Sequence, residues 1–267
     1  MIKDITIGQF FPGQSTIHKL DPRVKIILTF AFIVIIFFAK TYVGYALIFA
    51  YIALAVQLSR VPVRYILKGL KPLLFIIALT FLINVFFTPG NEVLFQVWAL
   101  KFTREGLNQG TFMALRLVLL VVGTSLLTLT TSPISLTDGI ERLLQPLQVI
   151  KFPAHELAMM MTIALRFIPT LLEETDKIMK AQMARGADFE SGNLFQRAKA
   201  LVPLLVPLFI SAFRRADELA MAMESRCYRG GENRTRMKVL RATRRDYVAV
   251  AVTLLLIAGI LLDSYVL

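Results

Sequence analysis

Arg185 and Arg226 lie 41 positions apart, each nine residues after an aspartate (Asp176 and Asp217). Each sits between small neighbours, Ala184 and Gly186 in the first case and Ser225 and Cys227 in the second. A guanidinium presents a planar fork of donors that fits a carboxylate bidentately, and small flanks let a partner's backbone come close. The chemistry this pattern suits is recognition of an acidic pocket on another surface. For either arginine taken alone there is a second reading, a helix C-terminal cation favoured by the helix dipole and satisfied by solvent.

Residues for bond-breaking chemistry show no comparable pattern. His155-Glu156 starts like a zinc helix, but Met159 stands where H-E-x-x-H needs its second histidine, and the other histidine, His18, is remote. No metal site is therefore expected. No G-x-x-x-x-G-K-[ST] phosphate loop occurs, so any ATP hydrolysis must take place on another chain. The single cysteine, Cys227, excludes a disulfide framework and Cys-based zinc or iron–sulfur sites. No nucleophile motif is present, so no catalytic residue is assigned.

The elements that must carry the two arginines are long. From Leu157 to Met183 apolar residues recur at i, i+3, i+4 and i+7, with Arg166, Glu173, Glu174, Asp176, Lys177 and Lys180 on the other face. A second stretch from Leu194 to Met223 repeats the pattern, with Arg197, Arg214, Arg215, Asp217 and Glu218 opposite. Each helix would run about 45 Å. Pro169 in the first, and Pro203 and Pro207 in the second, predict kinks or short breaks. Pro146 and Pro153 bound a shorter helix over 136–144.

Composition sets the medium around these helices. Of 267 residues, 56% are hydrophobic and 18% charged, against about 45–50% and 25% in soluble domains, which makes a soluble enzyme a poor fit. Runs long enough to cross about 30 Å of hydrocarbon fall at 24–39, 42–58, 72–87, 112–131 and 247–262. No signal peptide is expected, since the first apolar run starts late and lacks a cleavage site. Basic residues stay on the cytoplasmic side. Residues 59–71 carry a net +4, residues 88–111 a net of zero and residues 132–246 a net +5. Five crossings with a cytoplasmic N-terminus place both positive segments inside and the C-terminus outside. The expected fold is an all-α polytopic membrane protein with about five transmembrane helices and two long amphipathic helices at the cytoplasmic face. It divides into 1–131 (four spans), 132–246 (coupling helices and a basic loop) and 247–267 (the last span). Arg116, about one turn inside the fourth span, is read as snorkelling to the interface, and Asn84 as a helix–helix hydrogen bond. Gly106-x-x-x-Gly110 lies outside the apolar runs and reads as a weak packing motif.

The two Arg-centred tripeptides at helix ends resemble those of the transmembrane T component of energy-coupling factor transporters. Gly8-Gln9, Leu20-Asp21-Pro22-Arg23 before the first span and Arg229-Gly230-Gly231 after the second tripeptide fit the same family, and the likeness covers essentially the whole chain. The resemblance implies a non-enzymatic coupling subunit in the cell membrane. It would join two ATP-binding-cassette ATPases to a small membrane subunit, the S component, that captures a vitamin or metal. It also implies that Ala184, Arg185, Gly186, Ser225, Arg226 and Cys227 are the ATPase-coupling residues. No cofactor would be bound by this chain, and ATP and magnesium would sit on the partner ATPases.

Seven of ten methionines, Met159, Met160, Met161, Met179, Met183, Met221 and Met223, lie in the two long helices. Their flexible thioethers suit a surface that accepts exchangeable substrate-binding subunits, with core gap-filling as the plainer role. The net charge of +12 goes to topology and to anionic lipid, and no nucleic-acid partner is expected. A stand-alone secondary transporter with its own substrate site is the rival. It calls for paired charges or broken helices at the membrane midplane, and the spans hold one off-centre arginine.

Overall fold

A computed structural model describes residues 10–89, 93–97, 100–189, 193–230 and 240–266. Gly8-Gln9, Gly231 and the chain's last residue lie outside the described residues. The helices are α1 (Pro22–Ile35), α2 (Tyr42–Ser59), α3 (Val63–Leu70), α4 (Leu74–Phe87), α5 (Arg104–Thr130), α6 (Pro133–Leu144), α7 (Ala154–Ala184), α8 (Leu194–Ser225) and α9 (Arg244–Val266). Between α4 and α5 a small antiparallel hairpin pairs β1 (Val93–Val97) with β2 (Leu100–Thr103). The regular structure of the described residues is otherwise helical, as a polytopic membrane protein requires of backbone that cannot bond to lipid. The described residues within 10–140 and 240–266 form one compact unit and those within 141–230 another.

In the first unit, α1 begins where the sequence gives a strong start signal. Asp21 is the N-cap, accepting from the Arg23 backbone N–H at 2.9 Å, and Pro22 takes the first helical position. The Arg23 guanidinium returns to the same carboxylate through Nε (3.0 Å) and Nη2 (2.7 Å). The Asp21 N–H donates to Asp246 of α9 at 2.7 Å. Burial raises the Asp21 carboxyl, but hydrogen bonds from the Arg23 side chain and backbone, with its charge, outweigh that and leave it below the usual 3.8.

The apolar run at 24–39 does not make one crossing helix. α1 stops at Ile35 after 14 residues, about 21 Å at 1.5 Å per residue, and a tight turn follows through Phe37 N–H to Val34 and Phe38 N–H to Ile35. Two groups hold the chain beyond this turn. Thr41 caps α2 through the Gly44 N–H at 3.1 Å, and Arg116 of α5 donates to the Ala39 carbonyl at 3.3 Å. Arg116 also donates to the Tyr45 hydroxyl at 3.2 Å and lies 5.4 Å from the Phe37 ring centroid. It is therefore an internal clamp on the α1–α2 turn, more than a snorkelling side chain. Phe32, Ile36, Ile48, Leu119 and Ile260 form the buried core around this turn.

Among the described residues, five helical stretches are long and apolar enough to cross a membrane: Tyr42–Ser59, Val63–Phe87, Arg104–Thr130, Ala154–Ala184 and Arg244–Tyr265. The count agrees with the sequence reading and the membership shifts, because α1 is too short and α7 qualifies. Their outer faces are apolar, with Phe49, Phe75, Phe87 and Leu255 all exposed, a surface that bilayer satisfies and water does not.

Gly106 and Gly110 do more than their sequence position suggests. Both are buried in α5. A Cβ on Gly106 would meet the Val85 carbonyl at 2.9 Å, and one on Gly110 the Phe81 carbonyl at 3.2 Å. α5 starts at Arg104, earlier than the apolar run, so this small-x-x-x-small pair brings α5 against the backbone of α4. The Asn84 amide donates at 2.8 Å to Thr80 of its own helix, and among the described residues this donor makes no interhelical bond.

In the second unit, α7 and α8 run 31 and 32 residues. Both helices are continuous through Pro169, Pro203 and Pro207, so the expected breaks do not occur. A 3-10 segment (Gln145–Ile150) and Pro153 precede α7.

Candidate functional site

The two helix tips have one backbone design. At the end of α7, Gly186 adopts φ +89°. Its N–H bonds the Met183 carbonyl at 3.0 Å, and the Ala187 N–H reaches back to Gln182 at 3.0 Å. At the end of α8, Cys227 adopts φ +58°. Its N–H bonds Glu224 at 2.9 Å, and the Tyr228 N–H reaches Met223 at 3.0 Å. Both are Schellman turns, a six-to-one bond enclosing a five-to-two bond with a left-handed residue after the cap. Arg185 and Arg226 are the C-cap residues of the two turns. Glycine takes the left-handed conformation freely, whereas cysteine in it costs about 1–2 kcal/mol. The departure from Ala-Arg-Gly at the second tip therefore changes the side chains and leaves the backbone the same.

All six tip residues, Ala184, Arg185, Gly186, Ser225, Arg226 and Cys227, are exposed. Neither arginine has a hydrogen bond or ion pair among the described residues. Nothing lies within 4 Å of where a Gly186 Cβ would be. The forks are thus held by rigid backbone and chemically unspent.

The tips stand at opposite ends of the helix pair. Glu174 of α7 accepts from Arg215 of α8 at 2.9 Å and from the Ser211 hydroxyl. Eight residues further along α7, the Gln182 amide donates to the Pro203 carbonyl at 3.5 Å, eight residues back from Ser211 on α8. As one helix advances the other recedes, so the two run in opposite directions. Each arginine lies about 16 Å of helix beyond the ion pair, on opposite sides of it. The sequence reading places Glu174 and Arg215 on polar faces and misses their pairing. The signal was available, since the 41-residue offset between Arg185 and Arg226 also separates Glu174 from Arg215.

The methionines surround this pair without joining a core. Met160, Met161, Met183 and Met221 are exposed, and Met159, Met179 and Met223 half-buried. Alongside them α8 exposes Val206, Phe209, Ile210 and Phe213. His155 donates or accepts through Nδ1 with Glu141 at 2.9 Å. Among the described residues no group of three or more potential metal ligands occurs.

Comparison with known proteins agrees with this architecture. Residues 13–237 match the family model described as CbiQ, cobalt transport protein. The energy-coupling factor transporter transmembrane protein EcfT of Thermosediminibacter oceani is 62% identical over 265 residues, covering 99% of this chain and 100% of the relative. That of Clostridium kluyveri is 62% identical over 258 residues, 96% of each chain. The Bacillus subtilis protein of the same name is 52% identical over 261 residues, 98% of each. With its helical, multi-pass membrane fold and its paired long helices, the chain belongs to the family of transmembrane components of energy-coupling factor transporters.

Proposed function

We propose that this chain couples two ATP-binding-cassette ATPases to a separate membrane subunit that captures a micronutrient, a vitamin or a metal. The observation that carries the reading is the pair of identical Schellman turns, each capped by an exposed, unpaired arginine, at opposite ends of one antiparallel helix pair. Two equal sites facing away from each other suit two copies of a partner, one at each tip. A fork held on rigid backbone loses little entropy when it docks on a carboxylate, and truncating a desolvated arginine at an interface typically costs several kcal/mol. ATP and magnesium belong to the partners. Their closure would move the tips, and α7 and α8 would pass that displacement to the capture subunit, docked on the methionine-rich faces (Met159, Met160, Met161, Met179, Met183, Met221 and Met223). In this reading α1 and α2 enter the membrane and return as one hairpin and α7 lies along the cytoplasmic face, so the basic segments at 59–71 and 132–246 face the cytoplasm, with the N-terminus inside and the C-terminus outside.

The test is the R185A/R226A double variant in native membranes. ATPases should no longer co-purify and uptake should cease, while membrane insertion stays intact. Normal co-purification with normal uptake would overturn the assignment. Purification of the unaltered chain with no ATPase and no small membrane subunit would favour a stand-alone transporter.

A further inference from the structure

A cavity of about 430 Å³ opens in the unit that contains α1, α2, α5 and α9, within the ~300–1,000 Å³ range of small-molecule sites. Its polar end lies where these helices begin or end, at Lys25 in the first turns of α1, Thr130 at the last residue of α5 and Arg244 and Arg245 at the start of α9. Deeper along the same helices the walls are apolar, formed by Phe32, Ile52 and Val252. The cavity is therefore amphiphilic along these helices, with cations at their ends and apolar walls deeper in.

The cations are not equivalent. Lys25 is buried and spends its three donors on the His18 carbonyl (3.3 Å), the Thr130 carbonyl (2.9 Å) and the Thr131 hydroxyl (3.2 Å), so it closes the cavity and has nothing left for a ligand. Arg244 and Arg245 are exposed and have no hydrogen bond or ion pair among the described residues. The neighbouring carboxylate does not neutralise them. Asp246 is turned inward, accepting from the Thr243 N–H (2.6 Å) and hydroxyl (2.7 Å) and from the Asp21 N–H (2.7 Å).

We infer that this cavity is a binding site for one anionic phospholipid, its phosphate on the Arg244 and Arg245 guanidinium groups and an acyl chain between α1, α2, α5 and α9. Charge complementarity selects the class: guanidinium forks bind phosphate oxygens bidentately, and basic pockets between membrane helices suit anionic headgroups. The apolar walls select a chain-bearing ligand over a soluble phosphate, and the volume is too small for a further helix.

Native mass spectrometry of the full-length chain, released from micelles holding equal phosphatidylglycerol and phosphatidylcholine, tests the site. The unaltered protein should retain one phosphatidylglycerol in about tenfold preference, because both headgroups offer a phosphate but the choline ammonium of phosphatidylcholine is repelled by the two arginines. R244Q/R245Q should lose that preference, while R60Q/R64Q, with the same charge removed elsewhere, should keep it. R244K/R245K retains the charge and loses the fork, so its preference should fall severalfold. A249F narrows the apolar part and should lower retention of both lipids. Should A249F fail to fold, the lysine variant decides alone. Equal retention of the two lipids by the unaltered chain, or an undiminished preference in R244Q/R245Q, would overturn the proposal.

Discussion

Glu174 and Arg215 form an ion pair at 2.9 Å, and each stands eleven residues before the arginine that caps its own helix (174 to 185, 215 to 226). The pin is thus equidistant in sequence from both tips. Both side chains are partly exposed, at 23% and 37%. Solvent screening limits the pair to about 1 kcal/mol or less of stability, so its effect on coupling should exceed its effect on folding. E174Q is expected to lower Tm by a few degrees in detergent and to reduce uptake severalfold with the ATPases still bound. A double-mutant cycle with R215Q should show non-additive losses in uptake, and additive losses would mean the pair does not transmit motion.

At the tips the expected effects follow backbone conformation. C227G removes the left-handed penalty and should hold or raise stability by up to about 1 kcal/mol, whereas C227V should lower it by more than that. G186A meets no atoms, so its whole cost, about 1–2 kcal/mol of local stability, is conformational. Thermal melting of the three variants beside ATPase retention checks these signs. A G186A chain with full retention would show the Schellman turn to be dispensable.

Cys227 is the only thiol in the chain and is exposed, which makes the second tip its own reporter. A maleimide should label the isolated protein fully and the assembled transporter at least severalfold more slowly. Equal labelling rates in both forms would argue against burial of this tip by a partner.

Packing between α4 and α5 rests on the absence of side chains. G110L would drive a branched side chain into Phe81 and Val85, with an expected loss of at least about 1–3 kcal/mol. Size-exclusion profiles after solubilisation should show aggregation that the same exchange at Gly186 does not cause.

Acid sensitivity at the start of α1 has a definite sign. The Asp21 carboxyl is held below its ordinary 3.8 in the folded protein, so its contribution is fully present above that value and drains away as pH falls through the lower, folded value. The stability gap between the unaltered protein and D21N should be constant from pH 8 to pH 5 and shrink below 3.8. A gap that changed near neutrality would assign the effect to another group.

How much of this was legible beforehand depended on the kind of signal each element carries. α7 and α8 announce themselves by amphipathic stripes many turns long and by Arg185 and Arg226 at their ends. The end of α1 does not, because Ile36, Phe37 and Phe38 continue the same apolar run, and the turn after it is held by Arg116, 77 residues away from Ala39. Gly106 and Gly110 read as a weak packing motif because they lie outside the apolar runs, yet α5 extends through them and α4 covers them. The β1–β2 pairing left no period-two pattern in so short a segment. At the second tip, Cys227 in place of glycine hid a turn that the backbone makes all the same.

The opposed run of α7 and α8 also fixes which motions the pair can convert. Equal forces applied in opposite directions at the two ends, about a pin midway between them, cancel as translation and add as torque. Two partners closing together would therefore turn this bar without displacing its centre. A small sideways step at each end becomes a rotation of every side chain along its length.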